Sequence, residues 1–345
     1  MKKLETEKFQ GNHYEIGKQQ GKIYKKRGMN LKTMKINYED YQKQLAIYKK
    51  HYPEMLDELR GVAEGLDEDE ERVMGWFITN ELSWIKKLFD KGKSCTIFSY
   101  KIGKKLYVGR NYDWLPETER VFEIYKYHLK EGNSFVAVTD GAYGGEAGSK
   151  NNNLYYNPDD AINDKGLFIG LTFAYSNNWN YGLQCIHFTK LIAETCETVE
   201  EAIKIFKKVP ACSPKNYFIA DRYGDSVIVE HTSKKFRILR PKKGVLIQSN
   251  HYVDEELAKQ DMVLERVPYH NTFIRYFETL QSINLAKKNF NFNDLSKVMT
   301  RNGSYTCQNF PGIRTIWSLS PDMTKKNYKM HYDLFGKRKT IKLSI

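Results

Sequence analysis

The sequence predicts an α+β fold in which layers of helix and sheet alternate. Residues 14–90 carry apolar side chains at helical spacing, whereas short runs rich in β-branched and aromatic residues dominate from Cys95 onward. Helical patterns return at 185–209 and at 255–299, and extended runs follow each of them. This order favours a layered sandwich, and 345 residues suit one large domain or two closely associated ones.

The amino-terminal segment, residues 1–94, is predicted to be helical. A first helix opens near Tyr14, and a long charged stretch follows until Pro53 interrupts it. An apolar stripe after Pro53 indicates another helix, and Val73–Lys87 indicates one more. We therefore treat this segment as a helical unit that precedes the strand-rich residues 95–345.

A hairpin is predicted around the turn residue Gly103. A two-residue turn there pairs Cys95 with Tyr112, so that Arg110 shares the Cys95 face of the sheet and Asp113 points away. A register shift of one residue reverses the two, and a bulge would bring both to the same site. The sequence alone leaves the register open.

The later elements follow from strand propensity and helix signals. Thr198 and Glu201 have the spacing of a capping box at the start of a helix. The predicted helices here are Cys185–Cys196 and Val199–Val209, and the predicted strands are Phe122–Leu129, Ser134–Thr139, Gly166–Phe173, Tyr217–Ala220, Ser226–Glu230, Phe236–Leu239, Val245–Gln248, Thr315–Leu319 and Asn327–Tyr332.

The charge balance indicates a basic surface. A net charge of +13 and a pI near 9.2 suggest anionic surroundings or an anionic substrate. The excess is +3 over residues 1–94 and +10 over residues 95–345, so it is spread along the chain. No nucleic-acid motif accompanies it, and we expect no nucleic-acid partner.

The cysteine pattern and the first residues indicate the cellular compartment. The 5 cysteines are widely spaced without a CxxC pair, so neither a zinc site nor a disulfide framework is predicted. The first residues contain no apolar run that would serve as a secretory signal, and no apolar stretch is long enough to span a membrane. We expect a cytoplasmic protein without a bound metal or cofactor, and the sequence leaves homo-oligomerisation open.

Cys95 has two interpretations. A lone cysteine is more often a small buried apolar residue than a nucleophile. The segment Arg110–Asp113 favours the second interpretation here, because it brings a guanidinium, an amide and a carboxylate to the hairpin that carries the thiol. Cleavage after the small residue Ser94 would give Cys95 a free α-amine with a reference pKa of about 7.7–8.0, which can serve as the base. The histidines His128, His187, His231, His251 and His270 are scattered along the chain and are read as structural or surface residues.

The motif order resembles that of the N-terminal nucleophile hydrolases, and is most similar to the acyl-coenzyme A:6-aminopenicillanate acyltransferase family and to the choloylglycine hydrolases and penicillin V acylases. Cys95-Thr is followed by Gly109-Arg-Asn-x-Asp-Trp114. The other matching stretches are Gly11-x-x-Tyr14-Glu-Ile-Gly17-x-x-x-Gly21, Glu58-Leu-Arg-Gly-Val-Ala-Glu-Gly65, Asn163-Asp-Lys-Gly-Leu-Phe-Ile-Gly-Leu-Thr172, Cys196-Glu-Thr-Val-Glu-Glu-Ala202, Asn216-Tyr-Phe-Ile-Ala-Asp-x-x-Gly224, Ser249-Asn-His-Tyr252 and Thr315-Ile-Trp-Ser318.

This resemblance implies a fold, an activity and a site. The fold would be a four-layer αββα sandwich of two stacked antiparallel sheets, preceded by a propeptide-like or small-subunit-like segment over residues 1–94. The activity would be hydrolysis or transfer at linear amide C–N bonds of a small molecule, after self-cleavage of the Ser94–Cys95 bond, with acyl-coenzyme A as a further acyl donor. The implied roles are Cys95 as nucleophile, Asp113 as the carboxylate that orients its amine, Arg110 beside the thiol, Asn250 as oxyanion donor, Thr172 at the position of a second oxyanion element, and Asn111, Trp114 and Arg275 as substrate-binding residues.

Three other functions stay open at this stage. The first is an acyl-coenzyme A-dependent N-acyltransferase, and the second is a papain-like cysteine peptidase, which needs a cysteine–histidine pair. The third is a non-catalytic relative that binds a ligand without turnover. For Arg275 the alternative is an ordinary surface charge on a helix.

Overall fold

The computed structural model describes residue 4 and residues 6–32, 35–85, 93–140, 156–266, 271–286, 291–301 and 303–345. The helices are α1 (His13–Lys26), α2 (Tyr38–His51), α3 (Pro53–Leu66), α4 (Glu70–Ile85), α5 (Cys185–Thr195), α6 (Val199–Lys208), α7 (Glu255–Ala258), α8 (Val263–Arg266), α9 (Thr272–Ala286) and α10 (Phe292–Thr300). The strands are β1 (Thr6–Gly11), β2 (Ser94–Ile102), β3 (Lys105–Trp114), β4 (Glu123–Leu129), β5 (Phe135–Thr139), β6 (Asp160–Asn163), β7 (Leu167–Phe173), β8 (Lys215–Asp221), β9 (Ser226–His231), β10 (Phe236–Leu239), β11 (Val245–Gln248), β12 (Asn309–Phe310), β13 (Ile313–Asp322), β14 (Asn327–Tyr332) and β15 (Lys339–Leu343).

The strands form two sheets. The first has 8 strands in the order β1-β4-β5-β6-β7-β8-β9-β10, and the second has the order β11-β2-β3-β13-β14-β15, with β12 paired to β13. Among the described strands, pairing is antiparallel apart from β1, which runs parallel to β4. The hairpin that carries Cys95 therefore lies inside the second sheet, flanked by β11 and β13.

Three apolar cores separate four layers. The first lies between α1–α6 and the outer face of the first sheet, the second between the two sheets, and the third between the second sheet and α9 and α10. Because both faces of β2 are covered, its successive side chains alternate between two cores. The predicted αββα sandwich is confirmed. Representative core side chains are Leu59 and Phe188 in the first core, Ile97 and Phe168 in the second, and Phe98 and Met299 in the third.

The amino-terminal segment is part of this architecture. Its strand β1 forms an edge of the first sheet, and α1 crosses α3 at very short range. A Cβ placed on Gly17 would lie 1.9 Å from the Glu58 carbonyl oxygen, and one on Gly61 would lie 2.0 Å from that of Tyr14. The glycine-rich stretches of the sequence are therefore the contact surface of two crossing helices.

The sequence predicted most elements and missed others. The helix start at Thr198 has the expected capping box with Glu201. The strand β1 was not predicted, and neither were β6, β12 and β15. The end of the predicted helix Val73–Lys87 lies outside the described residues, and so does His270, which was expected to be structural or on the surface. Among the helices that the structure describes, none has the length and apolarity needed to cross a membrane.

Candidate active site

The register of the β2–β3 hairpin determines which side chains meet. Cys95 pairs with Tyr112, and the two-residue turn begins at Gly103, whose φ is +58°. Arg110 therefore shares the inter-sheet face with Cys95, whereas Asp113 lies opposite Ser94 on the helix-covered face. The structure thus selects the first of the two registers that the sequence allowed.

The Cys95 thiol lies in a buried, charged environment. Burial raises its pKa above the usual value, while the hydrogen-bonded Arg110 guanidinium opposes this shift. Arg110 is itself fully buried, and its Nε donates to Asp160 at 2.8 Å. The other oxygen of Asp160 accepts a hydrogen bond from Trp317 Nε1 at 2.9 Å. The absence of a side chain at Gly170 makes room for Asp160, because a Cβ there would lie 2.5 Å from its Oδ1.

The backbone of Cys95 is held by two side chains from outside the hairpin. Its N–H donates to Asn250 Oδ1 at 2.8 Å, and its carbonyl accepts from Arg275 Nη1. Arg275 also donates to Thr96 Oγ1 at 2.9 Å and to Asn250 Oδ1 at 2.7 Å. Asn250 Oδ1 accepts both hydrogen bonds, which identifies this atom as the amide oxygen. The amide nitrogen Nδ2 of Asn250 donates to the Phe173 carbonyl at 2.8 Å. Both backbone atoms of the candidate nucleophile are thus fixed by the same pair of residues.

Arg275 lies buried beside Cys95 and is not a surface charge. It is fully buried, and desolvation lowers its pKa below the usual value even though Asp113 opposes the shift. The surface alternative for this arginine was therefore wrong.

Asp113 is held on the helix-covered face. Thr315 Oγ1 donates to Oδ1 at 2.5 Å, and Gln308 Nε2 donates to Oδ2 at 2.8 Å. The same Gln308 nitrogen lies 2.9 Å from Ser94 Oγ. Desolvation raises the pKa of Asp113, and Arg275 opposes that rise. The carboxylate thus flanks the Ser94–Cys95 bond and does not face the thiol.

Lys93 lies on the thiol's side of the strand, two residues before Cys95. Its ammonium group is 2.5 Å from Asp140 and 3.6 Å from Asp159. Aromatic rings surround it at centroid distances of 5.4 Å for Tyr112, 5.8 Å for Trp114 and 5.3 Å for Phe173. We call Asp140, Asp159 and these three rings the Lys93 cage.

The other predicted substrate-binding residues lie at different places. Asn111 is on the helix-covered face, where Nδ2 donates to the carbonyls of Met299 and Thr306 at 2.8 and 2.6 Å. Thr172 Oγ1 donates to the Ser249 carbonyl at 2.6 Å. Trp114 alone of the three contributes to the Lys93 cage. Asn111 therefore anchors the outer helix layer, and it does not reach the thiol's face.

Several site residues were not found from the sequence. The adjacent Asp159-Asp160 pair opens a short apolar strand and could have indicated buried carboxylates that need cationic partners. Lys93 precedes the candidate nucleophile by two residues, which by alternation places it on the same face. Gln308 carries no such signal, because it approaches Ser94 only through the tertiary fold.

Three of the histidines expected to be structural form hydrogen bonds away from the Cys95 thiol. His187 Nδ1 lies 2.6 Å from Tyr48 Oη, and His251 Nδ1 lies 2.9 Å from Thr272 Oγ1. Burial lowers the pKa of His187 to about 3 and that of His251 to about 4. His231 accepts from the Ser233 N–H at 2.8 Å. These contacts favour the structural interpretation of the three rings.

One cluster in the described part of the chain brings possible metal ligands together. Ligand atoms of His13, Glu58 and Glu194 lie within 4.8 Å of one another. The Lys190 ammonium bonds both carboxylates, at 2.8 Å from Glu194. Burial alone would raise the pKa of Glu194, but Lys190 and His13 lower it to about 2. Lys190 therefore already offsets part of the negative charge of this cluster.

The αββα sandwich is the fold of the N-terminal nucleophile hydrolases, the class of enzymes that cleave or transfer acyl groups at linear amide C–N bonds. Residues 101–333 match the acyl-coenzyme A:6-aminopenicillanic acid acyl-transferase family, and the chain belongs to that family. No curated protein matches the chain.

Several solved structures resemble the chain at low sequence identity. Penicillin V acylase from Agrobacterium tumefaciens is 17% identical, covering 72% of this chain and 86% of its own, with a TM-score of 0.48. A mutant form of conjugated bile acid hydrolase from Clostridium perfringens is 16% identical, covering 72% and 92%, with a TM-score of 0.46. The Caenorhabditis elegans ortholog of N-acylethanolamine-hydrolyzing acid amidase is 14% identical, covering 67% and 93%, with a TM-score of 0.47.

Proposed function

We propose that the chain is cut between Ser94 and Cys95 by its own thiol, and that the exposed Cys95 then hydrolyses or transfers acyl groups of linear amides. The observation that carries this proposal is the clamp on Cys95. Asn250 holds its nitrogen, Arg275 holds its carbonyl and Arg110 contacts its thiol. Any buried residue needs partners for its backbone N–H and C=O, so the feature that an inert buried cysteine would lack is the Arg110 guanidinium beside its thiol.

The first stage is an acyl shift within the chain. The Cys95 sulfur attacks the Ser94 carbonyl carbon, the C–N bond breaks, and the Cys95 nitrogen leaves as an amine that takes the thiol proton. Water then hydrolyses the resulting thioester, releasing the Ser94 carboxylate and regenerating the thiol. Ser94 and Asp113 face each other here, and Gln308 contacts both.

The second stage repeats this chemistry on a substrate. The α-amine of Cys95, with a reference pKa of about 7.7–8.0, accepts the thiol proton as the sulfur attacks the substrate carbonyl. The amine of the substrate leaves with a proton, and water or another acceptor takes the acyl group from the thioester. Asn250 Oδ1 already accepts from the nitrogen that would become this α-amine, which supports an orienting role for Asn250.

The oxyanion donors stay a prediction. In the uncut chain the Asn250 amide protons point to Phe173, and the Thr172 hydroxyl proton points to Ser249. Each donor that turns toward the developing negative charge would lower the barrier by about 3 kcal/mol. Backbone N–H groups could supply the second donor.

The relatives suggest which substrates to try. Their names cover penicillin V, conjugated bile acids and N-acylethanolamines, and the family name adds acyl-coenzyme A and 6-aminopenicillanic acid. We therefore propose a panel of N-acyl amino acids, penicillins, bile-salt conjugates and acyl-coenzyme A esters. The panel separates hydrolysis from acyl-coenzyme A-dependent transfer.

Intact-mass spectrometry of the purified full chain tests the first stage. We expect two fragments that divide between Ser94 and Cys95, and one uncut chain for Cys95→Ala. A single uncut wild-type chain that also fails to react with thiol-directed acyl probes would overturn the proposal.

Two further variants separate the rival functions. A papain-like peptidase would keep its activity in Asp113→Asn and lose it on removal of one histidine, whereas we expect Asp113→Asn to abolish turnover. A non-catalytic relative would bind ligand equally well in Cys95→Ser and show no acyl transfer in either form.

A further inference from the structure

Lys93 precedes the Ser94–Cys95 bond and lies over Tyr112, which pairs with Cys95 in the sheet. In the first stage of the proposed reaction, the chain that ends in Lys93-Ser94 is the acyl group on the sulfur. An acyl group from a substrate must reach the same sulfur, which is fixed on an inner strand of a sheet. Both acyl groups therefore approach Cys95 along one path, and the surroundings of Lys93 show what that path accommodates.

Those surroundings suit a compact cation. The Lys93 cage places two carboxylates and three aromatic rings around one ammonium group that is nearly inaccessible to water. Rings attract a desolvated cation through their negative faces, and buried carboxylates attract it by charge. Tyr112 Oη also donates to Asp140, and the Asp140 N–H donates to Asp159 at 3.0 Å, so the two carboxylates are held in place.

We propose that the Lys93 cage is the acyl-side subsite of the processed enzyme, and that it selects acyl groups carrying an ammonium ion at the reach of a lysine side chain. This inference rests on the proposed function, because the subsite becomes vacant when the Ser94–Cys95 bond is cut and the Lys93-Ser94 end withdraws. A cationic acyl group is the opposite of the anionic substrate that the net charge of +13 suggested, because the cage is locally acidic.

The charge balance of the cage changes when Lys93 leaves. Burial and the neighbouring Asp140 raise the pKa of Asp159 to about 7, and the Lys93 ammonium opposes that rise. For Lys93, burial would lower the pKa, but Asp140 and Asp159 outweigh it and raise the pKa above the usual value. Departure of Lys93 removes this ammonium from between the two carboxylates, and a cationic acyl group would replace it.

Matched peptide amides test the selectivity. The probes are the aminomethylcoumarin amides of N-acetyl-lysyl-serine, N-acetyl-norleucyl-serine and N-acetyl-glutamyl-serine, which differ in charge at one side chain. We expect the wild-type processed enzyme to favour the lysyl over the norleucyl amide in kcat/KM by on the order of tenfold. In Asp159→Asn this ratio should fall to about 2 or less.

The lysyl-to-norleucyl ratio of kcat/KM within one variant separates selectivity from folding, because a purely structural defect lowers kcat/KM for both amides equally. Equal kcat/KM for lysyl and norleucyl amides in the wild type, or a preference for the glutamyl amide, would overturn the subsite while leaving the proposed function intact. No turnover of any amide together with an uncut chain would overturn the proposed function instead.

A binding measurement tests the cage without catalysis. In Cys95→Ala/Lys93→Ala the cage loses its lysine and the chain stays uncut. We expect n-butylammonium chloride to raise the Tm of this double variant, and 1-butanol at the same concentration to leave it unchanged. Cys95→Ala alone, with Lys93 in place, should respond to neither. Equal effects of both compounds on the double variant, or an effect of neither, would contradict the proposal.

Discussion

At Arg275 a single guanidinium connects three parts of the candidate site. It reaches the carbonyl of Cys95, the hydroxyl of Thr96 and the side-chain oxygen of Asn250. A methionine of similar length could fill the space but would leave these three acceptors without their donor. Because the contacts are buried, water cannot replace them without a further cost.

We expect Arg275→Met to slow both self-cleavage and turnover by roughly 100-fold, the loss that follows removal of one preorganised donor. Time-resolved intact-mass spectrometry and kcat measurements check this expectation. The matched control is Gln281→Ala, an exposed position on the same helix α9, which should leave both rates unchanged. Wild-type rates in a folded Arg275→Met protein would show that the guanidinium has no role in the chemistry.

His187 gives a pH dependence of a definite sign. Burial, with the Lys190 charge adding to it and Glu194 opposing it, lowers its pKa to about 3 in the folded chain, against about 6.5 when unfolded. Between these values the unfolded chain binds a proton that the folded chain does not. The free energy of unfolding therefore falls as the pH drops below about 6.5, by up to about 1.4 kcal/mol per pH unit from this group.

His187→Gln should remove that contribution while keeping a polar partner for Tyr48. Urea denaturation between about pH 7.5 and pH 5 is the measurement, and the stability curves of wild type and variant should converge as the pH falls. His51→Gln, at the half-buried end of α2, is the control: burial lowers the pKa of His51 too, so its effect should have the same sign and be smaller. Parallel curves for wild type and His187→Gln would contradict the assigned shift.

The site was partly predictable at the residue scale. Turn length at Gly103 and strand alternation placed Cys95 and Arg110 on one face, and the structure has that register. The contacts of Arg275 and Gln308 were beyond reach, because they join positions roughly two hundred residues apart through the tertiary fold. Local rules predict which face a side chain takes, and long-range packing decides what it meets there.

At the scale of elements, the crossing of α1 and α3 depends on glycines in both helices. Gly17 and Gly21 on α1 face Gly61 and Gly65 on α3, and an added Cβ at any of them would lie within 2.3 Å of a backbone oxygen. Backbone atoms cannot move aside as a side-chain tip can. The two helices would have to separate, which would disturb the core beneath them.

We expect Gly61→Ala to lower the free energy of unfolding by about 1–3 kcal/mol, even though alanine is the better helix former. Thermal and urea denaturation measure the loss. Asp57→Ala on an exposed turn of the same helix should change stability by no more than about 0.5 kcal/mol. A Gly61→Ala protein that is as stable as the wild type would show that the crossing is looser than described.

Two of the missed strands share a physical cause. β1 and β15 lie at the edges of the two sheets, and each has exposed side chains and contains lysine. Edge strands often carry charge, since charge prevents them from pairing with other molecules, and this weakens the apolar alternation that predicts a strand. The interior strand β14, by contrast, has the bounds that its sequence predicted.

At the scale of the whole molecule, residues 6–85 and the strand-rich part share one core and several buried polar contacts. Lys190 on α5 bonds Glu58 on α3, and Lys215 on β8 lies 3.4 Å from Glu81 on α4. Gln44 on α2 accepts from the Gly182 N–H at 2.9 Å. Breaking such contacts would leave buried charges without partners, which costs several kcal/mol for each pair.

We therefore expect the two fragments to stay together after cleavage before Cys95. They should elute as one species in size-exclusion chromatography under native conditions and separate only in denaturant. A free amino-terminal fragment in native buffer would show that the shared core does not hold them.

The position of the Ser94–Cys95 bond has a consequence for how the enzyme would be switched on. Both residues are fully buried in β2, an inner strand of the second sheet. A separate protease could reach this bond only after the sheet opened. Cutting here would thus be a first-order event within each molecule, with a half-time that dilution does not change. The timing of activation would then follow from synthesis and folding, and no second protein could act as the trigger by proteolysis.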